Sequence, residues 1–250
     1  MRSDFLSTHR AHDYKRLIRR WRAVARRAGL LMRRLAAQPD VYCVRSRRLP
    51  RQGVIYISAG IHGDEPAGTE ALIAWAEKNT RLLRRRPFFL VPCINPWGLT
   101  NNIRTDSQGR DLNRLFQKDD VPALAAIKRA VANTGFSLGL MLHEDYDAQG
   151  IYIYEFENTR PYWGEALLAA AAPHVPADLR PMIEGREAAG GLVRRSLDMK
   201  LFEQIGLPEA VYFHLRGCPR VLTIETPSEY GLDRRVQAHI AVIEESLRRI

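Results

Sequence analysis

The sequence predicts an α/β fold, from three observations. Short apolar runs of strand length recur at residues 54–61, 88–94, 138–142 and 221–224. Between them lie stretches with helical periodicity or alanine-rich composition. Pro and Gly are scattered through the chain, as many short connections require. Alternation of buried strands with helices is the pattern of a sheet covered by helical layers.

The elements follow in order. Leu17, Ile18, Trp21, Val24, Ala25 and Ala28 recur at helical spacing with arginines between them, so residues 1–29 read as a basic amphipathic helix packed on the domain, with Gly29 as its C-cap. A strand pair is expected at 31–36 and 41–46, turning at Pro39-Asp40. The run 54–61 is a buried strand, and a helix starts near Pro66. After the strand at 88–94, Asn95-Pro96-Trp97-Gly98 marks a turn into a polar loop carrying Arg104, Arg110 and Arg114. Helices are expected at 123–132 and 166–172. The strand at 138–142 ends at His143, and the one at 221–224 ends at Glu225. Gly185 and Gly190-Gly191 mark a loop placed to shape a substrate entrance. Residues 232–250 form a last helix, with Val236, Ile240, Ile243 and Leu247 on one face. All 250 residues are expected to make a single catalytic domain.

Composition excludes several classes. No apolar run approaches the roughly 20 residues that span a bilayer, and residues 1–5 lead into polar, basic sequence instead of a signal core. Cys43, Cys93 and Cys218 are too few and too irregularly spaced for a disulfide framework. These features point to the cytoplasm. The formal charge of +10 lies at one end: residues 1–37 hold 11 Lys/Arg against 2 Asp/Glu, the remainder 27 against 26. Such a segment reads first as a solvated helix face and second as a dock for an anionic polymer or surface. No aromatic stacking platform accompanies it, which counts against nucleic acid.

Three strand-like runs each end in a group suited to metal binding or proton transfer. His62 and Glu65, in His62-Gly63-Asp64-Glu65, lie where a buried strand gives way to a helix. An imidazole and a carboxylate at that spacing can turn toward one point, and zinc accepts both donors. His143 closes a second run, followed at once by Glu144, Asp145 and Asp147, and Glu225 closes a third. A carboxylate at the end of a buried strand is costly without a partner. A catalytic zinc takes three protein ligands and keeps a position for water. His9, His12, His174, His214 and His239 have no partner at ligand spacing and read as surface or turn residues, with His214 held in reserve for the pocket because it shortly precedes Glu225. Trp97 and Trp163 read as packing or pocket-wall residues.

Taken together, His62-Gly-Asp-Glu65, Asn95-Pro-Trp-Gly98, Arg104, Asp111-Leu-Asn113-Arg114-x-Phe116, His143 and Thr223-Ile-Glu225 resemble the zinc metallopeptidases of carboxypeptidase A type. That group includes the murein peptide amidases and the succinylglutamate desuccinylase and aspartoacylase-like deacylases. The resemblance runs from about Val54 to Glu225 and sharpens the fold to a three-layer α/β/α arrangement around a mixed, mostly parallel sheet. It implies one zinc per chain on His62, Glu65 and His143, with Glu225 as general base and acid. It implies that Arg104 polarises the scissile carbonyl, that Asn113 and Arg114 grip a substrate carboxylate, and that Asp111 orients His62. The tyrosine that digestive carboxypeptidases bring over the substrate has no clear counterpart; Tyr152, Tyr154 and Tyr230 are candidates. The chain ends at Ile250, which leaves no room for the β-rich domain of the deacylases and favours a compact peptidase or amidase. The expected reaction is hydrolysis of an amide or peptide bond beside a free carboxylate. The alternatives are deacylation of an N-acyl amino acid and a catalytically inactive ligand-binding scaffold.

Overall fold

The computed structural model describes residues 10–250. A central sheet has the order β1-β2-β4-β3-β5-β10-β6-β9, built from β1 (Leu31–Ala37), β2 (Asp40–Arg45), β3 (Val54–Ala59), β4 (Phe88–Val91), β5 (Phe136–Asp145), β6 (Tyr152–Phe156), β9 (Leu192–Arg195) and β10 (Val221–Pro227). β7 (Met182–Ile183) and β8 (Arg186–Glu187) form a separate small hairpin. The pairs β4–β3, β3–β5, β5–β10 and β6–β9 are parallel, whereas β1–β2, β2–β4 and β10–β6 are antiparallel. This is the mixed, mostly parallel sheet that the resemblance implies.

Helices cover both faces. On one side α1 (Tyr14–Ala28), α2 (Pro66–Lys78), α6 (Gly164–Ala171) and α9 (Leu232–Arg248) bury the side chains of Ile55, Ile57, Leu138, Leu140, Leu222 and Ile224. On the other, α5 (Pro122–Val131) and α8 (Glu209–Leu215) pack against Tyr56, Phe89, Phe136, Met141 and Val221. The period of two that alternates side chains across a strand divides these two cores. Short helices α3 (Thr80–Arg85), α4 (Pro96–Asn101) and α7 (Met199–Ile205) complete the chain.

The N-terminal helix begins at Tyr14, after an N-cap at Asp13, not at residue 1; residues 1–9, with His9, lie outside the described residues. Its apolar stripe is buried against α2, α3 and α4, and Gly29 closes it in the left-handed conformation at φ 66°. Arg20 leaves the basic face and binds Glu70 and Glu77 of α2 at 2.6 and 2.9 Å. The strand pair at the start of the sheet falls where the sequence places it, with Asp40 already in β2.

Two strands run past the residues at which the sequence ends them. β5 continues through His143, Glu144 and Asp145, and β10 through Glu225 and Thr226 to Pro227. On β5 the buried acceptor of this extension has donors of its own. The Glu144 carboxylate accepts the Ala67 N–H at the start of α2 at 2.6 Å and is bound by Arg235 of α9. One further correction concerns His239, which is fully buried in α9, with Nε2 3.1 Å from Thr226 Oγ1. Its place on the inner face of the last helix overrides the polar character from which a surface position follows. Cys43, Cys93 and Cys218 are buried and free. No helix of the described residues is long and apolar enough to cross a membrane.

Candidate metal centre and cavity

The strand order sets β3, β5 and β10 side by side in the middle of the sheet, so their C-terminal ends share one rim. Open α/β sheets bind ligands at that edge. His62 leaves the turn after β3, Glu65 stands at the start of α2, and His143 and Glu225 are directly paired across β5 and β10.

The first three residues converge. His62 Nδ1 lies 2.6 Å from Glu65 Oε1, and His143 Nδ1 lies 3.0 Å from Glu65 Oε2. One ligand atom from each falls within 4.8 Å of the others, and all three residues are buried. Two imidazole nitrogens and a carboxylate with no described side chain completing a fourth position fit zinc with a place left for water. Asp111 Oδ1 lies 3.1 Å from His62 Nε2, which fixes the ring so that Nδ1 faces the cluster. The same oxygen accepts the Asn113 N–H at 2.9 Å, tying the turn at Leu112–Arg114 to the histidine.

The electrostatics follow from this packing. Burial opposes a charged His62, but the Glu65 charge and hydrogen bonding to Asp111 and Glu65 outweigh it and raise the imidazole to about 9. Burial dominates at His143 and lowers it. Glu65 is held far below the usual carboxylate range: burial works against the shift, and the two imidazoles overcome it. A divalent cation among these donors would take the place of the shared protons.

Glu225 differs. Its carboxylate makes no hydrogen bond or ion pair with a described residue, and burial, followed by the charges of Glu65, Glu184 and Asp145, holds it well above the ordinary value. It faces a cavity of about 340 Å3, with His62, Glu65, His143, Arg104, Asn113 and Arg114 also on its wall. Arg104 donates to Glu65 at 3.3 Å and to Asp111 at 3.1 Å. The residues to which the resemblance gives roles thus meet around one space, with Asp111 in contact with His62 and Arg104 beside it. Arg110 is held instead by Asp106, bidentately, on the surface.

Other wall residues carry weak sequence signals. Tyr146 follows β5 in a loop, Tyr154 lies in β6, Glu184 and Arg186 belong to the β7–β8 hairpin, and Arg195 ends β9. Gly185 was the only pointer to the hairpin. Among the tyrosine candidates, Tyr154 reaches the cavity and donates to Glu184; Tyr152 is fully buried and donates to Asp145 at 3.0 Å, and Tyr230 packs under Arg234. His214 stacks on Phe156 at 4.1 Å, off the cavity wall. Trp97 is exposed and Trp163 sits beneath Arg220.

Comparison with known proteins bears on the fold. Residues 52–135 match the model of the succinylglutamate desuccinylase/aspartoacylase catalytic domain. Carboxypeptidase D of Rattus norvegicus is 32% identical over 114 residues, a match that covers 37% of this chain and only 8% of that protein. A Shewanella amazonensis structure, assigned only provisionally as a metallopeptidase, superposes with a TM-score of 0.82 over 96% of this chain and 94% of its own, at 21% identity. A metallo-carboxypeptidase from Pseudomonas aeruginosa, in complex with (2-guanidinoethylmercapto)succinic acid, gives a TM-score of 0.65 at 18% identity, covering 93% and 66% of the two chains. At these identities the structural matches establish the fold. That fold is the α/β fold of these two solved structures, a mixed sheet between helical layers. The likeness covers nearly the whole chain in architecture, and in sequence the family model matches residues 52–135.

Proposed function

We propose that the protein is a zinc-dependent hydrolase that cleaves an amide or peptide bond beside a free carboxylate. The observation that carries this reading is the convergence of His62, Glu65 and His143 beside an unpartnered Glu225. A bound zinc would act as a Lewis acid and lower the pKa of a coordinated water to about 7.

The chain's own residues would do the rest. Glu225, with both oxygens free of protein partners, takes a proton from the attacking water and returns it to the leaving nitrogen. Arg104 donates to the carbonyl oxygen as negative charge develops there, and preorganised donors of this kind are usually the largest catalytic term. Asn113 and Arg114 hold the substrate carboxylate, with the guanidinium fork matched to its two oxygens. Asp111 keeps His62 in a fixed orientation throughout.

Deacylation of an N-acyl amino acid uses the same groups and is the second reading, favoured by the family model matched at residues 52–135. A scaffold that only binds ligand has no use for a free carboxylate at Glu225. The deciding experiment is metal analysis of the purified protein together with hydrolysis of C-terminally free dipeptides and N-acyl amino acids by the parent and by Glu225→Gln. The variant should keep about one equivalent of zinc and lose roughly two to four orders of magnitude in kcat. Near-parental turnover in Glu225→Gln would remove the base. Absence of bound zinc in the parent, with no turnover on adding it, would favour the scaffold.

A further inference from the structure

Residues 10–51 hold 14 Lys/Arg against 2 Asp/Glu, and part of that excess gathers in one place. A groove of about 500 Å3 runs between α5 and the edge strands β1 and β2, with Arg33, Arg34, Arg45 and Arg129 on its wall. Register brings them together. Arg33 pairs with Cys43, and Arg45, two residues on, pairs with Phe89 of β4, so these side chains share the face that α5 covers. Arg129 comes from α5 itself.

A second groove, of about 590 Å3, continues from the first at Thr134 and carries Arg51 and Arg216. The two turns beneath it are joined: the Gly135 N–H donates to the Arg51 carbonyl at 2.8 Å, and the Val54 N–H to the Gly135 carbonyl at 3.1 Å. These turns lead into β3 and β5 at their N-terminal ends. His143 lies toward the other end of β5, roughly 20 Å from Phe136 at the rise of an extended strand. The grooves are therefore remote from the metal cluster.

Among the described residues, no Asp, Glu or Lys lines either groove. The side chains of Arg33, Arg51 and Arg129 make no hydrogen bond or ion pair. Arg45 and Arg216 donate only to backbone carbonyls, those of Ser46 and Arg47 and those of Val131 and Ala132. Arg34 alone has a carboxylate, that of Asp40. Elsewhere exposed or half-buried arginines are answered by acids, as Arg110 by Asp106, Arg180 by Asp178 and Arg248 by Glu245. Cations that share a groove repel one another, and an anion of matching shape relieves the repulsion.

The walls indicate the kind of anion. Guanidinium forks match phosphate oxygens. Two grooves that run on from one another suit a chain better than a single ion, and their concavity does not follow a flat lipid surface. A nucleic-acid strand is held by rings on which its bases stack. Phe89 is the sole ring described on the wall of the first groove, and at 1% exposure it is out of reach. A chain of phosphates without bases has no need of such a ring. We propose that the arginines from Arg33 to Arg216 form a binding track for linear polyphosphate, in which phosphates are joined by anhydride bonds. No residue of the metal centre or its cavity takes part, so the track stands apart from the proposed hydrolysis.

The test is calorimetric titration of the full chain with long-chain polyphosphate, orthophosphate, polyglutamate, an oligouridylate and phosphatidylglycerol vesicles, matched for total negative charge. Polyphosphate should bind at least about tenfold more tightly than any of the others. Its affinity should fall by about tenfold or more as salt is raised from low to physiological. Arg33→Gln combined with Arg129→Gln should weaken it by about tenfold or more. Arg22→Gln combined with Arg26→Gln removes the same charge from the exposed face of α1 and should change it by about twofold or less. All four side chains are exposed; if the first double variant does not fold, Arg51→Gln replaces it. Orthophosphate binding as tightly as the chain would reduce the track to a simple anion site and overturn the proposal. So would an equal or tighter hold on polyglutamate, oligouridylate or vesicles, which would assign the face to an acidic peptide, nucleic acid or membrane. Equal losses in the two double variants would overturn it as well, since they would show a diffuse positive field instead of a groove.

Discussion

The side-chain oxygen of Asn113 accepts the backbone N–H of Glu209 at 2.9 Å. That bond joins the turn carrying the proposed substrate clamp to the first turn of α8, and it decides which way the amide faces. With Oδ1 engaged, the two Nδ2 protons are the part of Asn113 left for the cavity, and Arg114 stands beside them. A carboxylate needs donors, and the fold supplies them by committing the acceptor elsewhere.

Asn113→Asp separates these two functions. The variant keeps an acceptor for the Glu209 N–H but puts a negative charge where the donors were. KM for a substrate with a free carboxylate should rise by about 100-fold or more. The melting temperature should change by only a few degrees. An amidated substrate should be nearly indifferent. A similar KM increase for both substrates would show that Asn113 does not contact the carboxylate.

Gly63, inside the His62–Glu65 motif, is required for a steric reason. A Cβ at this position would fall within the backbone of Gly98 and Leu99 in α4. The Gly63 N–H also reaches the Arg104 carbonyl at 3.4 Å, so the two loops that carry His62 and Arg104 are in contact here. Gly63→Ala must push them apart. It should cost about 2–4 kcal/mol in urea unfolding and weaken zinc binding by at least about tenfold. Unchanged metal affinity would mean that the ligands do not depend on this contact.

How much of this was legible follows from where each group lies on its strand. His62, His143 and Glu225 end runs of apolar residues, so a polar group stands out against each run and the shared rim can be inferred. Arg195 and the hairpin were not legible. The strand at Tyr152–Phe156 has Glu155 as its fourth residue, and a buried acid there hides the strand pattern. The structure satisfies that acid with Arg220 at 3.1 Å, 65 positions away, and with the N–H groups of Trp163 and Gly164 at the start of α6. β9 ends in two arginines that point to opposite faces, and only the register separates the one that meets the cavity from the one that does not. The buried His239 escaped for a related reason: helix periodicity places it on the inner face, and the residue type outweighed the position.

Glu144 and His143, neighbours on β5, face opposite sides of the sheet. His143 faces the cavity, whereas its neighbour points through the sheet to α2 and α9, where it holds the Ala67 N–H and Arg235. Replacing Arg235 with Met leaves Glu144 charged and buried with a single backbone donor. The cost should be about 3–5 kcal/mol. Glu144→Gln combined with Arg235→Met should recover most of it, because the amide oxygen still accepts from Ala67. Unfolding free energies of the parent and the two variants measure this; if the double variant is no more stable than Arg235→Met, the penalty does not come from the unpaired charge.

Glu209 gives the stability of the fold a defined pH dependence. Its carboxyl is completely buried between Tyr56 and Ser58, whose hydroxyls donate at 2.6 and 2.9 Å. Burial favours the neutral form more than these two donors favour the ion, and the pKa rises from 4.5 to about 7. A carboxyl raised in the folded state binds its proton more tightly there than in the unfolded chain. Between about pH 4.5 and 7 the unfolded chain has released the proton and the folded one has not, so the contribution of Glu209 falls as the pH increases and levels off above 7. The shift corresponds to about 3 kcal/mol. Glu209→Gln removes this titration. Relative to the parent, the variant should therefore gain about 2–3 kcal/mol on going from pH 4.5 to pH 8, read as the difference between the two urea-unfolding free energies at each pH. A difference that is the same at both pH values would mean that Glu209 is ionised throughout and that its two hydroxyl donors, not its burial, set its charge.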